Sequence, residues 1–567
     1  MATKKKTVPV ENPFTVVTNN IDPKFDNFGE DYPTFAETVQ AATVPLNYYG
    51  GKGHVYAQNQ YAINFLCQHA DNNSLAGFVD VFGGSGSVVL NTMAQSFGFN
   101  QYIYNDIVKG LSDFFTILKD EEYTKQLIDA IPVWPTGEMP NGKFMYNKGV
   151  YFAACAYREH CPFDSSTFYR YFKLICYPDK GRKPKVVKEA LDAISSKNGS
   201  FSKAEREKRI KAFQEYLEQN VYDCLKFCEF FCYLNRRLFK EEDYINYIQR
   251  WTTNYFSPFT ISEYLYGFCM SFIESYSFYK QEKYKEENYT SYIEAWEKSF
   301  IKKRAQTQLR KGYSQCAETD RWFKAFTKKF FKDCNSNVNV TSPEYKDDIL
   351  KWLKKYQKQY DNQLPASPYL NELQERDIWV SPMICNAVCE YIVVMGSFNN
   401  TRQSYNESSC SHFKENYISS IIKAGNELRE TMSNGQFIVC NMDTFDFLHL
   451  HDLSNHIKFY DPPYVHSSRS ENATDTYDSE MTDADHNKLI KILMYQTNWI
   501  LCGKVSDSEY DSKPYAELDM LPGVLHVTYT TINSSSNKHE TSASGKSKKQ
   551  DSIEHLWIRI DPASCNL

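Results

Sequence analysis

Phe78-Val79-Asp80-Val81-Phe82-Gly83-Gly84-Ser85-Gly86-Ser87 is the stretch from which the fold is read. Its first five residues set branched and aromatic side chains around one acid, the composition of a buried strand. The glycines that follow admit backbone conformations closed to other residues. An apolar helix is predicted from about Val88 to Ser96. Strand, glycine-rich turn and helix make the first βα unit of a nucleotide-type α/β fold. A second strand, Tyr102-Ile103-Tyr104, ends in Asn105-Asp106, and Asp106 lies 20 positions after Gly86. An acid at the end of the second strand can hold two ribose hydroxyls. The third glycine of a dinucleotide site is absent, and no Lys-Ser/Thr follows as in a P-loop. A nucleoside carrying a small zwitterion fits this turn better than a pyrophosphate. Asp80 or a nearby N–H is placed to meet its ammonium or carboxylate.

A second stretch carries the chemistry: Ile457-Lys458-Phe459-Tyr460-Asp461-Pro462-Pro463-Tyr464. Residues 457–460 read as a short strand. The two prolines cannot continue a ladder and fix a stiff, extended corner. Open α/β sheets bind their ligands at the carboxyl ends of the strands, where this corner falls. Asp461 is a strong acceptor, Pro462 offers a carbonyl with no competing N–H, and Tyr464 offers a flat face. That set suits an exocyclic amino group on a planar base. Its two N–H donors go to the carboxylate and the carbonyl while Tyr464 stacks on the ring. An ordinary strand-to-loop turn uses some of the same residues, but the apolar strand before and the Tyr after favour the chemical reading.

Composition bounds the rest. At 567 residues more than one domain is expected. The net charge is only −6, so a nucleic-acid surface has to be local rather than global. Sixteen Cys without regular pairing, in a chain this long, point to reduced thiols. Lys4-Lys5-Lys6 is followed by no apolar run, and no stretch is long and apolar enough for a membrane helix. A soluble, cytoplasmic protein with no membrane partner is expected. Upstream, Pro45-Leu46-Asn47-Tyr48-Tyr49-Gly50-Gly51-Lys52-Gly53 pairs a close backbone approach with a lysine that can reach an anionic group.

Taken in order, these motifs resemble the Dam-like DNA adenine N6-methyltransferases, those of the alpha motif order. Tyr48-Tyr49-Gly50-Gly51-Lys52 is similar to the family's Trp-Ala-Gly-Gly-Lys segment, and Phe78 to Ser87 resembles its S-adenosylmethionine-binding strand and turn. Asp106 matches its ribose-binding acid, and Asp461-Pro462-Pro463-Tyr464 its catalytic tetrapeptide. Phe437 to Phe445 resembles the strand whose terminal Asp443 and following residue flank the cofactor's adenine. Two departures stand out: Tyr48 replaces the family's Trp, and Thr444 precedes Phe445, which leaves open which of those two flanks the adenine.

The resemblance implies a Rossmann-like methyltransferase sheet with helices on both faces, plus a large, mainly helical inserted recognition domain. The expected division is an N-terminal arm over 1–44, a catalytic domain over 45–114 and 396–567, and a target recognition domain over 115–395. The implied catalytic residues are Asp461, Pro462, Pro463 and Tyr464. Those implied for S-adenosylmethionine are Tyr48, Lys52, Asp80, Phe82, Gly84, Gly86, Asp106, Asp443 and Thr444. The implied partner is double-stranded DNA, with the target base flipped out of the stack. A bacterial or phage-infected cell is the implied setting, and a partner restriction enzyme a further expectation. No metal is called for, since a sulfonium is already an electrophile. Two other classes stay open: a catalytically silent DNA-binding protein on the same fold, and a methyltransferase fused to a restriction nuclease.

The middle of the chain offers basic and aromatic clusters suited to phosphate contact and base stacking. They are Lys180-Gly181-Arg182-Lys183-Pro184-Lys185 with Lys188, Lys302-Lys303-Arg304 with Arg310-Lys311, Arg321-Trp322-Phe323-Lys324, and Lys328-Lys329-Phe330-Phe331-Lys332. Cys224, Cys228 and Cys232 share one helical face with Phe227 and Phe231, which reads as core rather than metal site. After the corner, 465–479 reads as a mobile loop, and Thr482-Asp483 as the cap of a helix to about Tyr495. Trp499 to Cys502 reads as a buried strand, and Val524–Ile532 with Ile553–Ile560 as a closing hairpin around a Ser- and Lys-rich connection.

Overall fold

The computed structural model describes residues 11–19, 23–46, 51–70, 75–95, 97–131, 136–138, 144–146, 148–163, 381–397, 417–433, 435–463, 481–503, 515–533 and 550–560. It also describes scattered positions between 167 and 235, and residues 402 and 405. The chain divides into two units, Met1–Pro132 with Val380–Leu567, and Val133–Trp379.

The first unit opens with β1 (Phe14–Asn19), α1 (Tyr32–Thr38), α2 (Tyr56–His69), β2 (Gly77–Asp80), α3 (Ser87–Ala94), β3 (Gln101–Asn105), α4 (Lys109–Leu118) and α5 (Glu121–Ala130). In the second unit, β4 (Thr136–Glu138) pairs antiparallel with β5 (Phe144–Tyr146), and α6 (Lys148–Arg158) follows. The chain returns to the first unit through α7 (Pro382–Gly396), α8 (Tyr417–Thr431), β6 (Gln436–Cys440), α9 (Thr444–Leu450) and β7 (His456–Tyr460). It closes with α10 (Asp483–Tyr495), β8 (Trp499–Gly503), α11 (Tyr515–Asp519), β9 (Val524–Asn533) and β10 (Gln550–Arg559).

One eight-stranded sheet runs β1-β9-β10-β8-β7-β2-β3-β6. The five strands from β8 to β6 are parallel; β10, β9 and β1 are antiparallel additions. A parallel strand covered on both faces reads as a continuous apolar run, and β7 is buried at all five positions. Its one charge, Lys458, is satisfied by donating to the Leu453 carbonyl at 3.0 Å. Helices cover both faces, as expected. Ile103 belongs to a core with Phe447 of α9, Leu489 and Leu493 of α10 and Trp499 of β8. Its neighbour Tyr104 points the other way, its ring 4.6 Å from Phe115 of α4.

Two expectations of organisation are corrected. Residues 14–19, placed in an N-terminal arm, form the edge strand β1 on β9. Irregularly spaced rings do this: Phe14 meets Phe28, Tyr32, Tyr61 and Tyr529 at 5.1–5.8 Å, a cluster that no local period reveals. Helices α5 and α7, placed in the inserted region, belong to the sheet-bearing unit. Tyr391 of α7 stacks on Phe114 of α4 at 5.6 Å. A Cβ on Gly110 would meet Glu390 Cβ at 2.6 Å, so the two helices approach closely there.

In the second unit Phe227 and Phe231 stack at 5.6 Å and are fully buried, with Tyr171 against Phe227 at 5.4 Å. The three cysteines predicted beside them lie outside the described residues, as do the basic clusters of 180–188 and 302–332 and the loop at 465–479. Among the described residues no helix is long and apolar enough to cross a membrane.

Candidate active site

Strand β2 sits between β7 and β3, so the connections leaving β2 and β7 diverge at their carboxyl ends. Open α/β sheets bind ligands at such a switch point. Asp80 ends β2, and Asp461 is the first residue after β7. The Val81 N–H donates to the Phe459 carbonyl at 3.0 Å, so the two strands stay paired up to these acids. Pro462 is buried and Pro463 half-buried, which fixes the corner against the sheet.

The glycine turn is shaped by backbone conformation and close packing. Gly84 and Gly86 have φ of +50° and +70°, the left-handed region. A Cβ on Gly86 would lie 2.5 Å from Phe115 Cζ. The Gly84 N–H donates to Asp106 Oδ2 at 2.9 Å, and the Val108 N–H to Asp106 Oδ1 at 2.7 Å. The turn and the acid of the second strand are thereby joined directly, and the Tyr104 hydroxyl donates to the Gly84 carbonyl at 2.9 Å.

Three carboxylates gather at one edge, and their protonation reflects it. Burial, then the charges of Asp461 and Asp106, pushes Asp80 up to about 8, although the Val89 N–H donates to it at 3.3 Å. Burial raises Asp106 as well, against the pull of its two backbone donors. Burial pushes Asp461 up to about 6, with Lys52 drawing it down and Glu554 raising it. Mutual repulsion of this kind is relieved by a cationic ligand. The donor set therefore fits a nucleoside that carries an ammonium and a sulfonium.

Lys52 does something other than expected. It lies in a short 3-10 turn, Lys52–Val55, with its N–H donating to Ser87 Oγ at 3.1 Å. Sequence reasoning gave it an anionic group of a cofactor. Its ammonium is 3.1 Å from Asp461 Oδ1 and 3.4 Å from Glu554 Oε2. Among the described residues, it is the side chain that engages Asp461.

The remaining predicted positions divide. Asp443 caps α9, accepting from the N–H groups of Phe445 at 2.9 Å and Asp446 at 3.3 Å. Thr444 is buried, and the Phe445 ring lies 3.8 Å under the Lys488 ammonium. Phe82 packs against the sheet core. Tyr48 and Tyr464 lie outside the described residues. Three residues went unnoticed in the sequence. Asn105 donates to the Val81 and Met442 carbonyls, each at 3.2 Å, and Asn441 donates to the Asp106 carbonyl at 2.8 Å; together they tie the ends of β2, β3 and β6. Glu554 is the third. Only the polar Asn105-Asp106 and Asn441-Met442-Asp443 steps after apolar strands signalled the first two.

A mostly parallel sheet, a glycine turn closed by the next strand's acid and a carboxylate–proline corner at the switch point are together consistent with a methyltransferase fold. Residues 60–238 match the family model of the D12 class N6 adenine-specific DNA methyltransferases, which bears out the resemblance to a Dam-like adenine methyltransferase. That family consists of enzymes that act on DNA and use S-adenosylmethionine. The matched span contains the glycine turn and Asp106; Lys52 and Asp461 lie beyond it. No curated protein and no solved structure matches the chain.

Proposed function

We propose that the sheet-bearing unit transfers a methyl group to the N6 amino group of adenine in DNA, and that the region 133–379 contributes to target recognition. The observation that carries this reading is the placing of Asp80 beside both Asp461 and Asp106 at the switch point, next to a proline-stiffened corner. Asp80 is assigned to the ammonium of the amino-acid moiety. Asp106 is assigned to the ribose diol, since each of its oxygens accepts one backbone N–H and keeps a second lone pair. Bound S-adenosylmethionine would supply an activated methyl group on a sulfonium.

The chain's own residues then act on the base. An adenine in duplex DNA has its amino group paired and stacked, so it has to be extruded at a cost of a few kcal/mol. Asp461 accepts one N6 hydrogen and the Pro462 carbonyl the other, while Tyr464 is assigned the stacking face. Holding both hydrogens below the ring turns the nitrogen lone pair towards the methyl group, and positioning of this kind is a large part of rate enhancement. With its carboxyl near 6, Asp461 is mostly ionised at neutral pH and so remains an acceptor. The test is direct: DNA incubated with methyl-labelled S-adenosylmethionine and the full chain is digested to nucleosides. Label in N6-methyldeoxyadenosine is expected; label only in a cytosine derivative, or in none, refutes the proposal.

A further inference from the structure

Glu554 has no part in the chemistry above, yet it is built into the same corner. It lies on β10 opposite Tyr529 of β9 and is only 9% exposed. Lys52, 4% exposed, ties it to Asp461, since one ammonium lies within 3.4 Å of both carboxylates. Burying a second carboxylate costs hydration that a neutral side chain of the same shape would not lose. Packing alone gives no reason for it.

We propose that Glu554 is a positioning residue: by engaging the same Lys52 ammonium as Asp461, it offsets that positive charge, leaves the crevice net negative and biases it towards a cationic ligand over its neutral counterpart. This rests on the methyl-donor reading above and adds to it a way of telling substrate from product. S-adenosylmethionine and S-adenosylhomocysteine differ by one methyl group and one positive charge. Contacts to the adenine, ribose and amino-acid portions are common to both, whereas a negative charge in the crevice acts on the sulfonium alone. The groups facing Asp461 are Lys52 from the 52–55 turn, Glu554 from β10, Asp80 from β2, Cys502 from β8 and Tyr529 from β9. Burial holds Cys502 and Tyr529 well above their ordinary ranges, so both stay neutral near pH 7. The field is left to the lysine and the carboxylates.

The test is calorimetric titration of the full chain, without DNA, using S-adenosylmethionine and S-adenosylhomocysteine separately. In Glu554→Gln the ratio of the two affinities should shift against S-adenosylmethionine by roughly tenfold, the size expected for losing a unit charge at about 10 Å in a protein interior. Glu554→Asp keeps the charge and should hold most of the ratio. An unchanged ratio in Glu554→Gln overturns the proposal. Should that variant fail to fold, the wild-type ratio is followed from pH 8 to pH 5. It should move against S-adenosylmethionine as the carboxylates take up protons; a flat ratio overturns the proposal while leaving the donor site intact. Failure of the wild type to bind either ligand removes the methyl-donor reading, and the proposal with it.

Discussion

Replacing Asp80 by Asn keeps the shape of a side chain that is only 1% exposed and removes its charge. In the folded protein this carboxyl is pushed up to about 8, chiefly by burial. In the unfolded chain it ionises near 3.9. Between those values the folded protein holds a proton that the unfolded chain releases. The contribution to stability is therefore full below about pH 4 and is lost as the pH climbs towards 8. Asp461, raised to about 6, has given up its share by that point. His456, lowered by burial, acts only below its unfolded value near 6.5. From pH 6.5 to 8, about 1.5 units at about 1.36 kcal/mol each assign about 2 kcal/mol of lost stability to Asp80. Urea titrations followed by tryptophan fluorescence suit the measurement, because Trp499 and Trp557 are fully buried in the same sheet. Wild-type protein should lose stability across this window, and Asp80→Asn should flatten the slope. Equal slopes in the two proteins would refute the electrostatics argued for the site.

Asp461→Ala should lower methyl transfer by at least about 10²-fold, the scale for removing one group that acts on the reacting atoms. Calorimetry should show binding of the neutral product, S-adenosylhomocysteine, largely preserved. Gly86→Ala forces a left-handed φ of +70° on a side chain and drives a methyl group to 2.5 Å from Phe115. About 1–2 kcal/mol of backbone strain plus about 1–3 of overpacking should appear as a lower melting temperature and weaker cofactor affinity. Arg402→Met removes the guanidinium 3.0 Å from Glu390, in a pair only 2% and 1% exposed. Roughly 3–5 kcal/mol should be lost, and the double variant with Glu390→Leu should recover much of it; a double variant no more stable than the single would contradict that assignment.

The core of the fold was legible because its signals are local. The strand and turn of 78–87 carry their glycines in sequence, and both left-handed residues fall where the turn was read. Thr482 was read as a helix cap, and it forms a reciprocal capping box with Asp485 at the head of α10. The Lys52–Glu554 link was illegible for the opposite reason. Its partners stand 502 positions apart, and no local pattern links a lysine after two glycines to a glutamate on the closing strand. Only the closing of β10 onto β8 brings it to the corner. Strand β1 was missed because its aromatic anchors have no period, and α7 because a helix of buried residues does not announce which neighbour covers it.

The most direct measurement is a structure of the full chain with a DNA duplex containing its target site and S-adenosylhomocysteine. An adenine turned out of the stack is expected, its N6 about 3 Å from a carboxylate oxygen of Asp461, with Lys52 still on that side chain. An adenine left paired in the duplex, or an Asp461 sealed from the ligand by protein packing, would contradict the assignment of this corner to catalysis.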